Sequence, residues 1–151
     1  MSRLAEPTQE AAKARLRTHF AEILRCLPPG TALVLRHPEL PGAVFHHGVT
    51  LSCDYGLDES RRFLDIRYWL LGAGPENCAR YFGLVTGYWE ARGWTRTSSP
   101  DSAGYADAPD GYGFSITQSV NGYLSVSGST TPFPAGSAEG DPMPDRIDRP
   151  S

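Results

Sequence analysis

The stretch FSITQSVNGYLSVS, residues 114–127, decides the fold. Asn121-Gly122 is a strong turn signal between two runs of alternating polarity. A two-residue turn would pair Ile116 with Ser127 and send Leu124 and Val126 to the opposite face. A three-residue loop, Val120-Asn121-Gly122, instead pairs Ile116 with Val126 and Gln118 with Leu124. It also puts Gly122 at the left-handed position of a bulge. Only this second register collects the apolar residues on one side, so it is the one expected. Strands with one apolar side belong to an antiparallel sheet covered on one face.

Upstream runs follow the same period. Ala43–Asp54 alternates, with Phe45, His47, Val49, Leu51 and Cys53 on one face. After a polar turn, Gly56–Arg62, the run Phe63–Leu71 sends Leu64, Ile66, Tyr68 and Leu70 one way. Phe63, Asp65, Arg67 and Trp69 go the other. Thr31–Arg36 reads as an edge strand stopped by His37-Pro38 and Pro41-Gly42. Trp94–Ser98 reads as a strand, and Ser99–Asp110 as a polar loop.

Two segments carry the helical period instead. Ala12, Leu16, Phe20, Ile23, Leu24 and Leu27 form one apolar stripe, so a helix is expected over Thr8–Leu27, capped by Thr8 and stopped by Pro28-Pro29-Gly30. A second helix opens at Gly72-Ala73-Gly74-Pro75, with Pro75 at its first position. It buries Cys78, Tyr81, Phe82, Val85, Tyr88 and Trp89 and closes at Arg92-Gly93. The order is α-β-β-β-α-β-β-β. The expected class is α+β: an antiparallel sheet of five to six strands with both helices on one face. The domain should span residues 1–133, and the Pro-, Gly- and acid-rich residues 134–151 should form a flexible tail.

The whole chain has 151 residues and a net charge of −3. That suits one domain and lacks the basic footprint of a nucleic-acid binder. No run of 18 apolar residues supplies a membrane span. Lys13 is the single lysine among fourteen basic residues, a bias typical of high-GC genomes. Cys26, Cys53 and Cys78 form no CxxC pair and sit in apolar elements, as buried free thiols do in a reducing compartment. The N-terminus lacks the basic and apolar regions of a signal peptide. A cytoplasmic location is expected, or an envelope-associated one if a leader has been removed.

The residues Tyr88–Trp94 (YWEARGW) and Asp110–Ile116 (DGYGFSI), followed by the Gly-turn hairpin, resemble small uncharacterised actinobacterial α+β proteins. Domains of LppA-like lipoproteins are among them. The resemblance covers Cys78–Val126, implies an α+β fold and carries no catalytic residue. By element order alone the chain is also similar to the α-β-β-β-α-β-β secretion-chaperone fold.

Chemistry-bearing residues are scattered. His46 and His47 point to opposite faces of a strand. His47 and Cys53 share a face but lie about 20 Å apart at roughly 3.3 Å per residue, so no metal site is expected. Cys78, at a helix start, falls on the apolar stripe and reads as inert. The acidic turns do not follow the calcium-loop pattern. No cofactor is expected. Phe63, Arg67 and Trp69, on the uncovered sheet face, form an aromatic–Arg patch of the kind that marks binding surfaces. The expected function is a non-catalytic interaction module, immunity-, chaperone- or adaptor-like, binding a protein partner through the sheet face or edge. The alternative is a ligand-binding protein or enzyme with a cleft between the sheet and the 99–110 loop, using His47, Tyr68 and Asp110. A homodimer through the sheet is a third option.

Overall fold

A computed structural model describes residues 7–53, 60–95 and 103–150. It has two helices, α1 (Gln9–Arg25) and α2 (Cys78–Ala91), and an antiparallel sheet of eight strands. The strands are β1 (Ala32–Val34), β2 (Val49–Ser52), β3 (Arg61–Leu71), β4 (Ala103–Asp107), β5 (Gly113–Gln118), β6 (Leu124–Ser129), β7 (Phe133–Pro134) and β8 (Arg146–Asp148). The main order is β4-β5-β6-β3-β1-β8, with β2 and β7 pairing further along β3. The α+β class and the antiparallel sheet are therefore as expected, with eight strands among the described residues where five to six were expected. No described helix is long and apolar enough to cross a membrane.

The hairpin takes the three-residue register, with Ile116 opposite Val126 and Gln118 opposite Leu124. Ser119 N donates to Tyr123 O, and Gly122 takes φ +83°. β3 is the spine. Leu64, Ile66, Tyr68 and Leu70 are all buried on the helix side, against Leu16, Phe20, Val85 and Trp89. Close approach of α1 requires Gly128 in β6: a Cβ there would sit 2.7 Å from Phe20 Cζ and 2.8 Å from Leu16 Cδ1. Thr8 caps α1, accepting from Ala11 N at 3.1 Å.

Four expectations are corrected. The strand expected over Ala43–Asp54 is only Val49–Ser52, because Gly48 at φ +103° breaks the extended backbone before it. Residues 35–48 make an excursion instead. It is tied by Phe45 N to Leu35 O at 3.0 Å and by the Trp69 indole N–H donating to Ala43 O at 2.6 Å. The second helix starts at Cys78 rather than Pro75, because Asn77 Oδ1 accepts from Gly74 N at 2.8 Å and closes a turn first. Within the expected Ser99–Asp110 loop, residues 103–107 are β4, paired with β5 from Ala103–Thr117 to Asp107–Gly113. The rest of the expected Trp94–Ser98 strand beyond Thr95, and residues 54–59 and 96–102 generally, lie outside the described residues.

The fourth correction concerns the flexible tail expected over 134–151. Its described part is a strap. β7 pairs with β3, and β8 pairs with β1, so β1 is an inner strand and not an edge. Met143 is only 1% exposed. Prolines supply carbonyls without competing N–H groups, and the strap's acceptors are met from the domain. Lys13 Nζ donates to Glu139 O (3.1 Å) and Asp141 O (3.3 Å), and Tyr68 OH donates to Pro144 O (2.8 Å). Glu10 N donates to Ala138 O at 2.8 Å, which satisfies an amide of the first turn of α1.

Candidate functional site

Strand pairing places a single row of residues across the helix-free face. Arg67 lies opposite Ser127, Ser127 opposite Ser115, and Ser115 opposite Tyr105. The neighbouring rows run Trp69–Ser125–Thr117–Ala103 and Asp65–Ser129–Gly113–Asp107. β5 and β6 thus contribute only Gly, Ser and Thr to this face between Gly113 and Ser129. The result is a trough. Its floor is two strands of small side chains, and its walls are β4, with Tyr105 and Asp107, and β3, with Asp65 and Arg67. Three inter-strand spacings separate the wall strands, about 14 Å. A cavity of about 350 Å³ opens on the β4 side, against Tyr105, Asp107, Ser115, Ser127 and Ser129.

Hydrogen bonds hold the floor. Arg67 Nη1 donates to Ser125 Oγ at 2.8 Å and to Thr117 Oγ1 at 3.5 Å. Ser129 Oγ donates to Asp65 Oδ1 at 2.7 Å, and Ser115 and Ser127 bond to each other through their hydroxyls. None of these bonds goes to an imidazole, so no floor serine has a histidine base of the Ser–His kind. Ser115 and Ser125 are themselves buried, whereas Thr117, Ser127 and Ser129 are half-buried hydroxyls that keep acceptor capacity for a visitor.

The residues expected to bind a partner divide. Phe63 and Arg67 are half-buried on the trough side of β3, with Leu51, 44% exposed, opposite Phe63. Trp69 shares that side but is buried beneath the 35–48 excursion, its ring 4.8 Å from that of Phe45. It anchors the excursion and presents no surface to a partner. The serine floor was missed. Its signal was present in Leu124–Ser129, where serine occupies every second position opposite Leu124, Val126 and Gly128.

His47, Tyr68 and Asp110 do not converge on one cleft. Tyr68 faces the helices and is wholly buried. Burial, with Asp145 adding to it, pushes its phenol far above the usual range, so it serves as a neutral donor. His47 bonds to Asp145 of the strap. Asp110 bonds instead to His19 Nε2 (2.8 Å) and Arg15 Nε (2.9 Å) of α1. Burial works against the Asp110 carboxylate, but those two hydrogen bonds outweigh it and hold its pKa below the ordinary value. His19 is buried among Tyr112, Phe114 and Trp94. This cluster ties α1 to the β4–β5 turn.

Two of the three thiols are poor nucleophiles. Burial pushes Cys26 up to about 11, against the lowering effect of Arg92, and also raises buried Cys78. Among the described residues no three His, Cys, Asp or Glu side chains group as a metal site. Comparisons with protein-family models, curated proteins and solved structures find no match to this chain.

Proposed function

We propose that this protein is a non-catalytic binding module that receives a protein partner in the trough on the helix-free face of its sheet. One observation carries the reading. A face left uncovered by both helices is floored by small hydroxyl side chains, with Arg67 at one wall and exposed Tyr105 at the other. Small floor residues admit a partner's side chains. Arginine and tyrosine are the residue types that anchor interfaces.

Floor hydroxyls bonded to one another, to Arg67 and to Asp65, together with the raised pKa values of Cys26 and Cys78, support binding over catalysis. Immunity-, chaperone- and adaptor-type roles, in the cytoplasm of an actinobacterial cell, all fit such a module. The test is co-purification of the tagged protein from its native cells. Ser127→Tyr, which fills the floor, and Arg67→Glu should each remove a stoichiometric partner while leaving the melting temperature within a few degrees. Arg80→Glu, on exposed α2 surface, should retain it. A partner that survives both trough substitutions would refute the reading.

A further inference from the structure

We propose that the cavity between β1, the 35–48 excursion and β8 is a binding site for a small organic anion with an apolar body, of the medium-chain carboxylate class. The cavity encloses about 390 Å³, within the usual range for small-ligand pockets. Val34, Val44 and Phe45 line its apolar wall, and Val44 is 43% exposed, so a ligand has apolar surface to cover. The walls are pinned before any ligand arrives. Phe45 N donates to Leu35 O and Leu35 N to Asp145 O, both at 3.0 Å, and the Phe45 ring rests on Trp69.

Charge selects the class. Four charged or titratable groups line this cavity: Arg36, Arg146, His47 and Asp145. Asp145 is engaged by His47, and Arg146 Nε donates to Asp148 Oδ1 at 2.6 Å. Both carboxylates near the mouth thus already have cationic or donor partners. Arg36 is exposed and makes no ion pair among the described residues. Its guanidinium is the uncommitted charge at the rim, and its planar fork matches a carboxylate with two parallel hydrogen bonds. A carboxylate ligand with its tail on Val44 and Phe45 satisfies both halves of the site. A cationic ligand of the same length finds both of those mouth carboxylates already engaged and is repelled by the uncommitted Arg36. This site lies across Trp69 from the serine trough and does not depend on it.

The experiment is a calorimetric titration of the full chain with octanoate, 1-octanol and octylamine, which share a tail and differ in head group. Octanoate should bind saturably, octanol at least tenfold more weakly, and octylammonium without saturation over the same range. Arg36→Gln, on the surface and outside the core, should weaken octanoate at least tenfold with an unchanged melting curve, whereas Arg80→Gln should leave it unaltered. Equal affinity for octanoate and octanol, full octanoate affinity in Arg36→Gln, or no saturable binding at millimolar octanoate would each overturn the proposal.

Discussion

Substituting Met143 by alanine tests whether the proline-rich C-terminal strap is part of the core. Met143 is 1% exposed and lies between Pro142 and Pro144, whose carbonyl holds the Tyr68 hydroxyl. Losing Cγ, Sδ and Cε at about 0.8 kcal/mol per buried methylene equivalent removes about 2 kcal/mol. The two prolines limit how far the strap can collapse into the gap, so a cavity cost of about 1–2 kcal/mol adds to it. Met143→Ala should therefore destabilise by about 3–4 kcal/mol and lower Tm by about 6–16 °C in a domain of this size. Met143→Leu, which nearly conserves volume, should cost less than about 1.5 kcal/mol. Urea unfolding followed by tryptophan fluorescence reads both. An alanine variant within about 0.5 kcal/mol of the parent would show that the strap contributes no core, and the eight-stranded sheet would lose its C-terminal strands.

Other consequences follow from the same contacts. Because Asp110 titrates lower when folded than when unfolded, the unfolded state binds more protons through that range. Its contribution is present above its ordinary pKa and is lost as pH falls through the folded value. Asp110→Asn should cost about 1 kcal/mol near neutrality, discounted for partial exposure, and should flatten the acid limb of a urea-midpoint profile between pH 6 and pH 2. Gly128→Val should push α1 off the sheet through Phe20 and Leu16 and destabilise by about 1–3 kcal/mol, whereas substitution of the exposed Gly83, whose Cβ would meet nothing within 4 Å, should not. Cys26 and Cys78 should resist a thiol reagent at pH 8 in the native protein and react fully in urea, with mass spectrometry assigning each site. Rapid native labelling of Cys78 would contradict its burial.

What the sequence made legible was parity. Ile116, Leu124 and Val126 name a covered face only in one register, and the same period in Phe63–Leu71 separates Tyr68 from Arg67 correctly. Parity fails where small residues do the packing. Ala103, Gly104 and Ala106 read as loop because they lack bulk, yet helix α2 lies so close that a Cβ on Gly104 would meet Thr86 Cγ2 at 2.8 Å. It fails again in the strap, whose only large apolar side chains after Phe133 are Met143 and Ile147. There the attachment runs through backbone carbonyls accepting from Lys13, Tyr68 and the Leu35 amide, and side-chain hydropathy carries no trace of it. Trp69 had the right face but the wrong exposure, since its cover comes from an excursion whose return to the sheet only the left-handed Gly48 marks. The serine floor was readable in the alternation of β6. Its meaning appears only when β5 and β4 are laid beside it.

Photo-crosslinking from the trough wall tests the central claim most directly. Benzoylphenylalanine replaces Tyr105, an exposed aromatic on the helix-free face, and in a separate variant replaces Arg80 on α2. Irradiation in the native cells should join a single protein to position 105 and none to position 80, and Ser127→Tyr should abolish the product. Crosslinks formed at position 80 but not at 105, or a product at 105 that survives Ser127→Tyr, would place the partner elsewhere and contradict the account.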